Sequence, residues 1–173
     1  LWLGSYLLDL CPFTPILYGF DDREHILDIL EDITGSRLTY CYYRFGGVIQ
    51  DIDDNLPLMA FDRRRIRQVL LNLLINATQA MPDRSASTNR VTVRTRTDDE
   101  GWAVVEVCDN GSGIEEARLG RVFEPFFTTV SEGSGMGLYL CKELCEINNA
   151  GLSYRPTENG ESCFRITLSQ RAQ

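Results

Sequence analysis

Asp109-Asn-Gly-Ser-Gly113, followed by Gly133-Ser-Gly-Met-Gly-Leu138, decides how this chain is understood. The first stretch closes an apolar run, Trp102 to Cys108, and sets a carboxylate at the start of a glycine loop. An ionised carboxylate only accepts hydrogen bonds. At the floor of an apolar slot, Asp109 therefore suits a ligand that donates from an amine, as adenine does. Taken alone, Gly111 and Gly113 after an Asp are equally the marks of a plain turn. The second stretch places Gly133, Ser134, Gly135, Met136 and Gly137 ahead of a segment where Leu138, Leu140, Leu144 and Ile147 have helical spacing. A glycine loop that feeds a helix N-terminus offers free N–H groups and a favourable dipole to an anion. The spacing is not that of a P-loop, which needs a Lys and a Ser or Thr after its last glycine.

A third part lies upstream. Asp62 predicts an N-cap for a helix that runs to about Met81, with Pro82 beyond its end. Ile66, Val69, Leu70, Leu73, Leu74, Ala77 and Met81 fall on one broad face, and Gln68, Asn72, Asn76 and Gln79 on the other. A surface helix can show such a pattern, but its polar side usually carries Lys and Glu. An amide oxygen is a hard, neutral ligand suited to Mg²⁺, which takes its remaining ligands from water and phosphates. Between the two loops stands Phe123-Glu-Pro-Phe-Phe-Thr-Thr129, either core or the anchor of a lid over a ligand. Together the three parts predict a pocket for ATP and Mg²⁺.

The remaining chain alternates helices and strands. The pattern predicts a strand over Leu58–Phe61, a hairpin of Arg90–Thr97 with Trp102–Cys108 turning at Asp98-Asp-Glu-Gly101, and one short helix within 115–132. It also predicts a helix over 135–149 and a closing strand pair, Gly151–Arg155 with Ser162–Leu168. Hairpin-joined strands with helices on one face define an α+β two-layer sandwich with a mixed, mostly antiparallel sheet. Before Gly46-Gly47 the chain is aromatic-rich, with a predicted helix from Asp22 to Thr34 ended by Gly35 and a strand from Leu38 to Phe45.

A net charge of -8 argues against nucleic acid as the main partner, because phosphate contacts need clustered Lys and Arg. Arg63-Arg64-Arg65 is expected to be the solvated start of a helix. No apolar run reaches the ~18–20 residues that span a bilayer, and the apolar opening, Leu1 to Leu10, lacks the basic start of a signal peptide. The absence of an initiating Met suggests a fragment. No two of the six cysteines form a CxxC pair, so all are expected to be reduced, mostly buried thiols in a cytoplasmic protein.

With these elements in order, residues 48–173 resemble the catalytic ATP-binding domain of sensor histidine kinases, in the flavour of nitrogen and pilus regulation. Gln68 to Ala77 resembles the N box, Asp109 to Gly113 the G1 box, Phe123 to Phe127 the F box, and Gly133 to Leu138 the G2 box. The resemblance implies the Bergerat fold and an ATP–Mg²⁺ site with Asn76 as metal ligand and Asp109 on adenine. It implies further nucleotide contacts from Ala80, Gly111, Gly113, Ile114, Phe123, Phe127, Thr128 and the whole of 133–138, under a movable lid over residues 114–134. Gyrase, Hsp90 and mismatch-repair ATPases resemble the same fold but place a water-activating Glu one turn before the metal-binding Asn. Here Asn72 stands there, an amide that cannot take a proton, so hydrolysis is expected to be slow or absent. Asn72 and Asn76 are the expected catalytic positions.

Two departures bear on activity. Family members often carry a Lys after the F-box threonines, where this chain has Val130. The only histidine, His25, lies in Glu24-His-Ile-Leu-Asp28, which does not match a phosphoacceptor box. The resemblance therefore implies transfer of the γ-phosphoryl group to a histidine on a separate phosphoacceptor domain, and onward to a response regulator.

Residues 1–47 look different. Leu1 to Leu10, Thr14 to Phe20, Asp22 to Glu24 and Thr34 to Val48 resemble the large quinone-proximal subunit of respiratory complex I and its nickel–iron hydrogenase relatives. In that family the acid matching Asp9 lies near the quinone pocket. The chain thus resembles a chimera, with a foreign N-terminal segment ahead of the kinase-like domain. Two alternatives accompany the kinase reading: a respiratory-subunit fragment acting as an interaction module, and a nucleotide-binding pseudoenzyme.

Overall fold

The structure, a computed structural model, describes residues 48–53, 56, 61–81, 89–128, 133–157 and 159–168. The expectations for residues 1–47, including His25, for Leu58–Ala60 and for Val130 lie outside the described residues; Phe61 is not in a strand. In chain order the elements are β1 (Val48–Asp51), α1 (Arg63–Ala80), β2 (Val91–Thr97), β3 (Ala103–Asp109), α2 (Glu116–Leu119), α3 (Gly137–Ile147), β4 (Ala150–Pro156) and β5 (Ser162–Leu168). The strands form one sheet in the order β1-β2-β3-β5-β4.

Connection chemistry explains that order. β1 and β2 are parallel, so no hairpin can join them, and α1 provides the crossover. β2 and β3 are antiparallel and meet at a tight turn in which the Gly101 N–H donates to the Asp98 carbonyl at 2.9 Å. β4 and β5 pair in the same way, closed by the Gly160 N–H on the Thr157 carbonyl at 2.9 Å. β5 then inserts beside β3, again antiparallel. The sheet is mixed and mostly antiparallel, as expected.

One sheet face carries Val93, Val105, Val107, Phe164 and Ile166, and these join Ile66, Val69, Leu70 and Leu73 of α1 in a single core. α1 starts where its sequence dictates. The Asp62 carboxylate accepts from the N–H groups of Arg64 and Arg65 at 2.9 and 3.3 Å, filling two donors that a helix start leaves open. Met81 caps the other end and is buried.

α3 lies antiparallel to α1. Near the start of α1, the Asp62 N–H donates to the side-chain carbonyl of Asn148, just past the end of α3, at 2.7 Å. Further along, the Cys141 thiol reaches the Val69 carbonyl at 3.8 Å and also hydrogen-bonds Asn72. The four amides lie off the core face as expected: Asn72 and Asn76 are half-buried, Asn72 against Cys141 of α3, while Gln68 and Gln79 are exposed. The expectation for α3 is corrected. The buried stripe of α3 is Cys141 and Cys145, flanked by Leu138 and Leu144, whereas Leu140 and Ile147 point to solvent. Cysteine is small enough to let the two helices approach closely.

A second correction concerns the thiols. Cys141 and Cys145 are free and buried, as anticipated. Cys108 and Cys163, expected to be reduced, are joined as a disulfide between β3 and β5. They stand directly opposite each other in the register, with Cα atoms 4.1 Å apart. Their 55-residue separation in sequence hides a pairing that only the sheet creates.

Leu70 is completely buried between sheet and helices. Leu70→Ala is expected to cost about 2–5 kcal/mol through lost transfer energy and a residual cavity, seen as a lower denaturant midpoint with an unchanged m-value.

Candidate functional site

Strand alternation turns Asp109 toward the helices, because it shares a face with Val105 and Val107. It is the last residue of β3 and only 3% exposed. Its Oδ1 accepts the Gly111 N–H at 2.9 Å, so the loop folds back on its own carboxylate. The Ser162 hydroxyl, directly across on β5, donates to the same carboxylate. Burial pushes the Asp109 carboxyl up to about 6, against the opposing pull of the Gly111 N–H and Ser162 and with a smaller push from Glu161. A carboxylate held this way has unused acceptor capacity in an apolar setting, which suits a ligand amine.

The first glycine loop is fastened to the end of α1. The Ser112 N–H donates to the Ala80 carbonyl at 3.3 Å. A Cβ on Gly111 would lie 2.7 Å from that same oxygen and 2.7 Å from the Asp109 carboxylate, so only glycine fits between them. Ile114 is held as well: its N–H donates to the Tyr154 hydroxyl of β4 at 3.1 Å. Asn76 is one helical turn before Ala80 and so on the same side of α1. Its amide nitrogen is buried and, among the described residues, lacks a hydrogen-bond partner. An orphaned buried donor costs about 1–3 kcal/mol. A phosphate oxygen would satisfy it, and the same amide turned over presents an oxygen to a cation. The site therefore fits Mg²⁺ chelated by phosphates.

Antiparallel packing carries the second glycine loop to the same end. Asp62 meets Asn148 and Val69 meets Cys141, so continuing that register sets the N-terminus of α3, at Gly137, toward the Asn76–Ala80 end of α1. Ser134 steadies this loop by accepting the Met136 N–H at 3.3 Å. Gly133 and Ser134 are exposed, and Gly135, Met136, Gly137 and Leu138 are half-buried.

The aromatic segment joins the two loops. Phe123 packs edge-on against the core residue Phe164 with centroids 6.3 Å apart, and Phe164 meets Tyr154 at 5.2 Å. The Phe127 ring lies under the Arg121 guanidinium at 4.8 Å, and Thr128 is exposed. Phe126 adopts a left-handed backbone, φ 64°, with its side chain 77% exposed. That conformation is costly for a bulky residue. Its backbone rests on Gly135, where a Cβ would fall 2.4 Å from the Phe126 carbonyl carbon.

Sequence reasoning missed two residues here. Ser162 and Tyr154 sit in ordinary strand patterns, and their hydroxyls acquire partners at Asp109 and Ile114 only through the sheet. By contrast, Asn72 joins the helix–helix contact with Cys141.

Residues 61–172 match the family described as histidine kinase-, DNA gyrase B- and HSP90-like ATPase, and the chain belongs to that family. Sensor protein kinase PilS of Pseudomonas aeruginosa is 41% identical over 108 residues, 62% of this chain and 20% of that protein. The catalytic domain of histidine kinase ThkA superposes with a TM-score of 0.66 at 25% identity, over 87% of this chain and 93% of that one. Full-length ShkA in complex with AMPPNP shares the fold, with a TM-score of 0.65 at 21% identity, over 93% of this chain and 32% of that one. Residues 9–112 also match the family described as respiratory-chain NADH dehydrogenase, 49 Kd subunit. An NADH-quinone oxidoreductase subunit of Desulfotalea psychrophila is 68% identical over 53 residues, 31% of this chain and 14% of that protein. The chain thus spans a fifth or less of these curated relatives. None of the described helices is long and apolar enough to cross a membrane.

Two consequences can be measured. The folded-state carboxyl of Asp109, about 6, lies above its ordinary 3.8, so the folded chain binds this proton more tightly than the unfolded chain. Its contribution to stability is therefore present below 3.8 and lost as pH rises through about 6. Ligand recognition through the ionised form runs the other way: affinity for an adenine nucleotide should fall about tenfold between pH 7 and pH 5. Titration calorimetry should show that dependence in the wild type and not in Asp109→Asn. Separately, Gly135→Ala should weaken nucleotide binding by about tenfold or more, since the left-handed backbone alone costs an L-residue about 1–2 kcal/mol.

Proposed function

We propose that this chain binds ATP with Mg²⁺ and serves as the catalytic domain of a two-component sensor histidine kinase. It delivers the γ-phosphoryl group to a histidine on a separate phosphoacceptor domain, which passes it to a response regulator. One observation carries this: a buried carboxylate, Asp109, and the Asn76 amide, whose buried nitrogen lacks a partner among the described residues, lie at the same end of α1, linked through Ala80 and the Gly111 turn. Membership of the ATPase family and the likeness to sensor kinases support it.

In this mechanism Asp109, with Ser162 and Gly111, takes the adenine amine. Asn76 would hold Mg²⁺, which when bound neutralises phosphate charge and aligns the leaving oxygens. The loop of 133–136 and the N–H groups at the start of α3 receive the phosphates. Phe123 anchors the covering segment to the core through Phe164, and the turn at Phe126 keeps it against Gly135. Asn72 cannot abstract a proton, so this chain does not activate water at that position. Reactivity then depends on the acceptor histidine, and catalysis rests on positioning and charge neutralisation. On this reading the chain works in the cytoplasm, where ATP and response regulators meet.

A second element rests on the 53-residue likeness to the respiratory NADH-quinone oxidoreductase: residues 1–47 are a foreign segment joined to the kinase-like domain near Gly46-Gly47. On that view the respiratory resemblance confers no quinone chemistry by itself, because the match covers 14% of the matched respiratory protein.

Titration of the whole chain with a non-hydrolysable ATP analogue, with and without Mg²⁺, tests the reading. Binding should require Mg²⁺ for full affinity, and Asn76→Ala should abolish that requirement by weakening the Mg²⁺-bound analogue about a hundredfold or more. With ATP and an added phosphoacceptor domain, acid-labile phosphohistidine should appear on the acceptor. A chain that binds no nucleotide favours the interaction-module alternative; binding without transfer favours the pseudoenzyme.

A further inference from the structure

Alternation along β3 and β5 turns Cys108 and Cys163 away from the helices, onto the opposite face of the sheet. There Arg94, Glu106 and Arg165 lie side by side across three strands. Glu106 is buried and pairs with Arg96, and more loosely, at 3.9 Å, with Arg94 and Arg165. Its carboxylate and the two sulfurs lie within 4.8 Å of one another. Such a trio invites a metal, but the three guanidiniums already satisfy Glu106 and would repel a cation. The sulfurs are bonded to each other. The chemistry left to this pair is thiol–disulfide chemistry.

Its position gives that chemistry a target. Cys108 immediately precedes Asp109, Cys163 immediately follows Ser162, and Asp109 and Ser162 are themselves register partners joined by a hydrogen bond. A crosslink here lies one residue from the floor of the proposed adenine slot. We propose that Cys108 and Cys163 form a reversible oxidation site that sets the affinity of the Asp109–Ser162 floor for its nucleotide, an inference that rests on the nucleotide-site reading above. In the oxidising direction one thiolate attacks a peroxide, forming a sulfenic acid and releasing water. The second thiolate then displaces water from that sulfur and closes the disulfide. Two thiols lose two electrons and two protons, and the peroxide becomes two waters. A dithiol reverses this by exchange, becoming a disulfide itself. The other described thiols, Cys141 and Cys145, are free and lie on the helix side of the sheet, away from this pair. The crosslink holds β3 and β5 together, so the carboxylate and hydroxyl are preset for the adenine amine. The dithiol form leaves that geometry to be ordered on binding, which lowers affinity.

The test uses the whole chain after hydrogen peroxide or after dithiothreitol, with the disulfide located by mass spectrometry of peptides. A non-hydrolysable ATP analogue with Mg²⁺ is then titrated into each form. The oxidised form should bind about threefold to tenfold more tightly, and Cys163→Ser should show the weaker affinity in both conditions. Cys108→Ser provides the same comparison should the first variant fail to fold, and the wild-type contrast needs neither. Equal affinities, tighter binding after reduction, or no Cys108–Cys163 bond after peroxide overturns the switch while leaving the nucleotide site standing. Absence of binding in both states overturns the nucleotide site and the switch together.

Discussion

Antiparallel docking of α3 on α1 is the constraint from which the rest follows. The Asp62–Asn148 hydrogen bond at one end and the Val69–Cys141–Asn72 contact in the middle fix the register of the two helices. With both helices laid over one sheet face, the only free direction is along their axes. The end of α1 and the start of α3 then come out together, above the edge where β3 finishes at Asp109. Two small residues in α3, Cys141 and Cys145, make the close approach possible, and both are fully buried.

That arrangement concentrates polar cost at one end of the molecule. The Asp109 carboxylate is buried, the Asn76 amide nitrogen lacks a partner among the described residues, and Phe126 takes a left-handed backbone, all within the segments that α1 and α3 converge on. Buried polar atoms without a hydrogen-bond partner also occur elsewhere among the described residues, at Arg67 Nε and Arg165 Nε, whereas the buried Glu106 on the far face of the sheet is paired. What sets this end apart is that a buried carboxylate, a partnerless amide nitrogen and a left-handed bulky residue occur together, as expected of a site shaped for something other than stability. The two sheet faces thus divide their work. The helix side carries the core and the Asn76–Asp109 end; the far side carries an ion network and a disulfide whose cysteines adjoin Asp109 and Ser162 in sequence.

Much of the architecture could be seen in the chain itself. Asp62 announced the start of α1, and the helical and alternating periods of Ile66–Ala77 and Val91–Thr97 announced element type. These signals are local, because a cap and a hydrophobic period involve residues a few positions apart. The errors came from partners distant in sequence. Leu140 and Ile147 have helical spacing with Leu138 and Leu144, yet the partner surface picked out a stripe containing Cys141 and Cys145 instead. The reduced state expected of Cys108 and Cys163 failed for the same reason, since neither residue carries any sign of the other.

By itself, the sequence determined the inventory: one capped amide-bearing helix, two glycine loops, an aromatic segment between them, and strands enough for a two-layer sandwich. Residue types and short spacings encode these because they depend on backbone preference and local hydrogen bonding. Only the tertiary structure decided that Asn76 is orphaned, that Ser162 and Gly111 hold Asp109, that Tyr154 holds Ile114, and that Gly135 must remain bare beneath Phe126. Each of these needs two segments far apart in the chain to be brought within a few ångströms. The energy that does so is burial of the shared core, to which no single segment contributes more than one face.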